Sequence, residues 1–416
     1  MPTDQQTFAI VGAGLAGAKA AQTLREEGFD GRLVLLGAES ERPYERPPLS
    51  KDYLRGEVER EAAYVHEAGF YTEHEIELRV DESVVGLDAG RQELALKSGE
   101  RLGYDRLLLA TGSMPRRLSI PGAELDGIHY LRTFADSDAL RSRLDAGARL
   151  VVIGAGWIGS EVAASARQRG VEVTIIAPHA VPFERVLGRE VGAIYRDLHR
   201  DHGVEMLLGA AVGSFEGDGS VERVRTQDGH TVACDAVVVG IGATPRAVLA
   251  ATAGLAVGNG VLVDGRLETS VPGIFAAGDV ANHLHPALGR LRVEHWDNAL
   301  HQGPAAARGM LGSDDPYTRT PYFYSDQYDV GMEYSGHAAG SDRVVFRGDP
   351  ATREFVAFWL ADGRVLAGMN VNVWDVTEAI QALIASGSQV DERRLADPDV
   401  PLTDLFHHAT LGEASS

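Results

Sequence analysis

The chain has 416 residues, 44% of them hydrophobic, a formal net charge of −21 and a single cysteine, Cys234. Its length suggests two or three domains, and its acidity argues against nucleic acid as a partner. One cysteine excludes a disulphide framework, a Cys-x-x-Cys redox pair and a cysteine-ligated cluster; with no apolar run near ~20 residues, the sequence reads as a protein of a reducing cytoplasm with no membrane role.

Near the N-terminus, Phe8-Ala-Ile-Val11 runs into Gly12-x-Gly14-x-x-Gly17, and a helix-compatible stretch from Ala18 to Glu27 follows. A buried strand, a glycine turn and a helix, in that order, put backbone N–H groups and the positive end of a helix where a pyrophosphate binds. A second strand, Arg32 to Leu36, ends before Glu39, a carboxylate suited to the hydroxyls of an adenosine ribose.

Arg42-Pro-Tyr-Glu-Arg-Pro-Pro-Leu-Ser-Lys51 comes next. Its prolines fix an extended path, and Ser50 is expected to cap a helix beginning at Lys51. Lysine is scarce: Lys19, Lys51 and Lys97 are the three among 39 basic residues, so one retained in this motif is informative. Residues 76 to 110 read as short strands with turns at Asp88-Ala-Gly90 and Ser98-Gly99, closing on Ala110-Thr-Gly112. Met114 to Gly122 reads as a crossover linker.

The opening logic then repeats. Leu150 to Ile153, Gly154-x-Gly156-x-x-Gly159, a helix from Ser160 to Arg169 and a strand from Val171 to Ile176 form a second unit, closed by Ala236 to Gly242. Two complete units imply two nucleotides. Gly260 to Asp264 and Gly273 to Asp279 are strands returning to the first domain, the latter ending in a lone carboxylate, and Asn298 to Met310 is a helix. Beyond Tyr317 the pattern turns aromatic and alternating. Tyr322 to Tyr324, Arg343 to Arg347, Glu354 to Leu360 and Val365 to Met369 predict an antiparallel sheet, with a helix from Val376 to Ala385 packed on it. Cys234 reads as a buried strand residue. His283-x-His285 reads as loop, and no metal site is expected.

In order along the chain, Gly12 to Gly17, Arg42 to Lys51, Ala110-Thr-Gly112, Tyr130-Leu-Arg-Thr133, Gly154 to Gly159, Gly240-Ile-Gly242, Ala277-Gly-Asp279 and Tyr324-Ser-Asp-Gln327 resemble one family. It is that of the FAD-dependent, NADH-using ferredoxin reductases of bacterial P450 and ring-hydroxylating dioxygenase systems, the putidaredoxin reductase-like and biphenyl dioxygenase reductase-like proteins. The resemblance runs essentially end to end. It implies an α/β fold with two Rossmann-like dinucleotide-binding domains in the glutathione-reductase-like arrangement, and a C-terminal α+β interface domain. The expected domains are 1–112 with 245–320 for FAD, 113–244 for NAD(P), and 321–416 for the interface.

Residue by residue, the resemblance implies FAD contacts from Gly12, Gly14, Ala16, Gly17, Glu39, Arg46, Lys51, Val84, Ala110, Thr111, Gly112, Arg132, Gly278, Asp279 and Trp296. For NAD it implies Gly154, Gly156, Ile158, Gly159, Glu161, His179, Arg185 and Gly242. Lys51, with Glu161 as its partner, is the catalytic candidate, because a cation beside a flavin stabilises the negative charge that reduction develops. One departure stands out. Where the family has a ribose-binding Glu, this chain reads Ile176-Ala-Pro-His179, which removes both an acceptor for the ribose and the repulsion that excludes a 2′-phosphate. NADH is the expected donor, with NADPH use open. The expected function is electron transfer from NADH through FAD to a [2Fe–2S] ferredoxin, by a monomer or homodimer. The alternatives are an NAD(P)H oxidase and an apoptosis-inducing-factor-like flavoprotein.

Overall fold

A computed structural model describes residues 6–405, so the ends of the outermost expected domains, 1–5 and 406–416, lie outside the described residues. The chain separates into two compact units. The first comprises the chain up to Pro47, Glu59–Met114 and Ala243–Arg319; the second comprises Pro48–Val58, Pro115–Gly242 and the chain from Thr320 onward.

The first unit is built on a five-stranded parallel sheet, in the order Ile274–Ala276, Arg106–Leu109, Thr7–Val11, Arg32–Leu36, Ile76–Arg79. The inner strands are nearly continuous apolar runs because a parallel sheet in this architecture is covered on both faces, whereas the edge strand Ile76–Arg79 carries Glu77 and Arg79. The helices Leu15–Glu26 and Trp296–Met310 pack together on it. Their closeness depends on Gly303, where a Cβ would stand 2.2 Å from the Ala16 carbonyl oxygen. A three-stranded antiparallel meander, Val84–Asp88, Glu93–Leu96 and Arg101–Gly103, completes the unit with a smaller four-stranded sheet.

The second unit repeats this plan. Its parallel sheet runs Glu205–Leu208, Glu172–Ala177, Arg149–Ile153, Ala236–Val239, Ile128–His129, and it too carries an antiparallel meander, over Val212–Glu216, Arg223–Thr226 and Thr231–Ala233. Cys234 is buried as expected, but it follows the strand Thr231–Ala233 rather than lying within a strand, and burial pushes its thiol up to about 12. The C-terminal segment forms a five-stranded antiparallel sheet in the order Tyr322–Gln327, Val330–Gly336, Arg364–Val371, Glu354–Ala361, Arg343–Asp349. One face is covered by the helices Thr377–Ser386 and Glu392–Ala396. The other packs on Glu184–Asp201, a helix interrupted at Gly188, through Leu187, Val191, Tyr195 and Leu198 against Phe355, Trp359 and Met369. The Trp359 indole N–H donates to the Leu187 carbonyl at 3.2 Å.

Three local expectations are corrected. Ser50 caps no helix: residues Pro47–Ser50 form a 3-10 turn, the helix that follows is the short Asp52–Arg55 with Lys51 at its N-cap, and no side chain caps it. His283 and His285 are in the strand Ala281–His285 and buried, because alternate positions of that strand face the core. The expected linker begins as ordered structure, since Ser113–Pro115 form a short strand; well beyond it, a capping box between Thr133 and Asp136 starts the helix Phe134–Arg141.

Candidate functional site

In the first unit, Gly12 has φ +117°, and a Cβ there would stand 2.1 Å from the Ala110 carbonyl oxygen, so the two strand ends close only around glycine. Gly14, at the N-cap of Leu15–Glu26, would point a Cβ at nothing within 4 Å. Tight below and open in front, this turn is a cradle that fits a pyrophosphate, with the N-terminus of a 12-residue helix behind it. Gly17 abuts the Gly12 carbonyl, which brings helix onto strand.

Glu39 follows the second strand and is half-buried. Tyr44 Oη donates to it at 2.5 Å and Arg46 Nη2 at 2.7 Å, and Arg46 Nη1 also reaches Tyr44 Oη at 2.9 Å. Burial would raise the Glu39 pKa, but the Arg46 charge and the two hydrogen bonds outweigh it and hold the carboxyl below its ordinary value. At the far edge of this sheet, Asp279 sits in a turn after Ile274–Ala276, where Ser113 Oγ donates to it at 2.8 Å. The Gly278 N–H donates to Gln302 Oε1 at 2.9 Å, tying that turn to the helix that begins at the half-buried Trp296. Thr111 Oγ1 donates to the Arg246 carbonyl at 2.8 Å. Val84 is half-buried against the main core, and the Ala16 backbone abuts Gly303. Lys51 and Arg132 belong to the second unit.

The second unit has the same cradle. A Cβ at Gly154 (φ +101°) would stand 2.4 Å from the Gly240 carbonyl oxygen, whereas one at Gly156 would meet nothing within 4 Å. Ile158 is exposed on the helix Trp157–Gln168. The strand Glu172–Ala177 ends at the buried Ala177, followed by exposed Pro178 and His179. The chain then folds back, with the Phe183 N–H donating to the Ala155 carbonyl at 3.1 Å and the Phe183 ring stacked on Trp157 at 4.1 Å. Arg185 is exposed in the next helix. The acidic side chain in this loop, Glu184, is committed to Arg189 and to the Ala180 N–H, each at 2.8 Å.

Lys51 and Glu161 meet in the same unit. Lys51 Nζ lies 2.8 Å from Glu161 Oε2, and both side chains are nearly excluded from solvent, at 10% and 5% exposure. The segment bearing Lys51 is pinned from two helices: Ser137 Oγ donates to the Leu49 carbonyl at 2.9 Å, and Ser165 Oγ to the Ser50 carbonyl at 2.7 Å. Glu161 accepts further from Ser50 Oγ at 2.5 Å and from Ser325 Oγ at 2.8 Å. The Tyr324 ring lies 5.7 Å from Lys51 Nζ. A buried ion pair survives only when its remaining polar atoms are satisfied, and both oxygens of the Glu161 carboxylate have partners. The sequence points to this pair, but not to Ser50 and Ser325 as donors to Glu161, nor to Tyr44 as a donor to Glu39. Ser325 and Tyr324 were visible in the Tyr324-Ser-Asp-Gln327 motif without an assigned role.

Among the described residues no group of three or more His, Cys, Asp or Glu could hold a metal, and no helix is long and apolar enough to cross a membrane.

Fold and site together define a protein built to hold two dinucleotides. Residues 6–303 match the pyridine nucleotide-disulphide oxidoreductase family model, and residues 322–406 match the reductase C-terminal model. The chain is 42% identical over 400 residues to the ferredoxin–NAD(+) reductase component of the anthranilate 1,2-dioxygenase system of Burkholderia cepacia, covering 95% of this chain and 98% of that one. It is 37% identical to the putidaredoxin reductase of Pseudomonas putida, covering 98% of each. A solved structure of a covalent putidaredoxin reductase–putidaredoxin complex aligns with TM-score 0.92 and 37% identity, over 96% of this chain and 97% of that chain. The chain belongs to the pyridine nucleotide-disulphide oxidoreductase family, within its ferredoxin–NAD(+) reductase branch. It is an oxidoreductase whose family uses FAD and a pyridine nucleotide, and both glycine cradles fit such groups.

Proposed function

We propose that this protein passes electrons from NADH through FAD to a [2Fe–2S] ferredoxin that serves a P450 or Rieske oxygenase. FAD, when bound, supplies the conversion of a two-electron hydride into electrons released singly. The observation that carries the reading is the buried Lys51–Glu161 pair in a chain with one cysteine. With a single cysteine there is no cysteine pair to take electrons onward, so they leave the flavin directly for an external acceptor. Relatives named as ferredoxin–NAD(+) reductases support the same acceptor class.

In this reading Gly12, Gly14 and Gly17 hold the FAD pyrophosphate and Glu39, steered by Tyr44 and Arg46, takes the adenosine ribose. Asp279 takes a ribityl hydroxyl, with Val84, Ala110, Thr111, Gly112, Arg132, Gly278 and Trp296 completing the FAD set. Gly154, Gly156, Gly159, Ile158, His179, Arg185 and Gly242 hold the nicotinamide dinucleotide. The Lys51 ammonium, kept in one place by Glu161, stabilises negative charge at the reducing centre. The functional modules are 1–112 with 245–320, 113–244 and 321–416, in a cytoplasmic monomer or homodimer. NADH is the proposed donor. A second donor, NADPH, is supported by Ala177, because no carboxylate there repels a 2′-phosphate.

Purified protein should be yellow, release FAD on denaturation, and bleach with about one equivalent of NADH under anaerobic conditions. A colourless protein that binds NADH without a flavin would end the proposal.

A further inference from the structure

Gln327 and His199 have no part in the reading so far, yet both are fully buried, at 1% and 0% exposure. Ser325 and Gln327 are two residues apart on the strand Tyr322–Gln327, so their side chains share one face. Ser325 Oγ is 2.8 Å from Glu161 Oε1, and Gln327 Nε2 is 3.3 Å from Ser325 Oγ. Gln327 Oε1 is 3.0 Å from His199 Nε2, and His199 Nδ1 is 3.1 Å from Tyr328 Oη. Beyond it, the His202 ring stacks on Tyr328 at 3.7 Å, where the run approaches solvent.

The chemistry of these groups sets the direction of every bond. A carboxylate only accepts, so Ser325 gives its single proton to Glu161. Its oxygen then accepts from the Gln327 amide N–H, which turns Gln327 Oε1 towards the imidazole. His199 Nε2 therefore carries the proton, His199 Nδ1 accepts, and Tyr328 O–H donates. All four donors point towards Glu161, and aligned hydrogen bonds polarise one another. Burial pulls the His199 pKa down to about 4, in keeping with the neutral ring that this pattern requires.

We propose that Ser325, Gln327 and His199 form a one-way hydrogen-bond chain that fixes the Glu161 carboxylate for its pairing with Lys51, which makes Gln327 a positioning residue. The proposal rests on the reading of Lys51 and Glu161 as the working pair. An amide is suited to this place because it donates from one end and accepts at the other. Glutamate cannot donate to Ser325 when ionised, and methionine can do neither.

Two measurements on the FAD-loaded enzyme test it. In 15N-histidine NMR at neutral pH, His199 should be the neutral Nε2–H tautomer, and Gln327→Met should release it into a tautomer mixture. An Nδ1–H tautomer in the parent enzyme would overturn the chain. In rapid mixing with NADH, Gln327→Met and Ser325→Ala should each slow flavin reduction about tenfold, with FAD content retained. In a Glu161→Gln background the same substitutions should add less than about twofold. Full multiplicative effects in that background would show that Gln327 acts on packing alone and overturn the proposal. If Glu161→Gln itself reduced as fast as the parent, the functional reading of the pair would fail instead, and the tautomer measurement would still decide whether the chain exists.

Discussion

Ser50 Oγ donates to Glu161 Oε2 at 2.5 Å, across 111 positions of sequence, and leaves the helix start beside it without a side-chain cap. The same carboxylate oxygen faces Lys51 Nζ at 2.8 Å. Glu161 thus holds both ends of the Ser50-Lys51 dipeptide. Removing either charge of a buried pair strands the other, at a cost of roughly 3–5 kcal/mol. Lys51→Met should slow reduction by NADH about a hundredfold, with Glu161→Gln milder. Rapid-mixing absorbance checks this, and rates within twofold of the parent would remove Lys51 from the mechanism.

The glycine cradles separate folding from binding. Gly12→Ala drives a Cβ into the Ala110 carbonyl at a backbone angle that L-residues avoid, and it should give little folded protein. Gly14→Ala meets no protein atom within 4 Å, so it should fold and retain its thermal transition as apoprotein while losing flavin on desalting. Equal flavin retention in Gly14→Ala and the parent would argue that phosphate does not approach this turn.

Nucleotide choice is predicted to hinge on Ala177. Placing a carboxylate there with Ala177→Glu supplies two ribose hydroxyls with an acceptor and repels a 2′-phosphate. The kcat/KM ratio for NADH over NADPH should rise about tenfold or more. Replacing Arg185 by Ala should raise the same ratio if that exposed guanidinium attracts the extra phosphate.

Acid should destabilise the fold through the half-buried His66 and the buried His199 and His283. Burial holds His66, His199 and His283 at about 4, against an ordinary value of 6.5. The unfolded chain therefore binds more protons between these values, and stability falls as pH drops from about 6.5 towards 4. For the fully buried His199 the loss by pH 5 is on the order of 2 kcal/mol. Thermal melts across this range should show the decline, and His199→Gln should reduce it, leaving the part that His66 and His283 contribute.

What the sequence made legible follows from physics that is local. Both strand–glycine–helix units are visible because parallel strands are unbroken apolar runs and because Gly12 and Gly154 sit where a Cβ cannot. The strand Val330–Gly336 escaped notice because its turn has no glycine or proline: Tyr328 takes the left-handed conformation, φ +58°, in their place. The helix Glu184–Asp201 was hidden by the break at Gly188. Ser50 misled because capping is a local rule: Pro47–Ser50 close a 3-10 turn, the helix starts one residue later than expected, at Asp52, and the Ser50 hydroxyl donates to Glu161, brought from far along the chain. The partners of Glu161 had no signal beyond a two-residue spacing in Ser325-x-Gln327, whose meaning depends on a helix over a hundred residues earlier.

The most direct test is anaerobic mixing of the NADH-reduced enzyme with an oxidised [2Fe–2S] ferredoxin from an oxygenase system. A pair of ferredoxins should be reduced for each NADH consumed, with the flavin returning to its oxidised spectrum. A reduced flavin that ignores every ferredoxin offered, yet is discharged rapidly by oxygen with stoichiometric peroxide, would contradict the account and identify an oxidase.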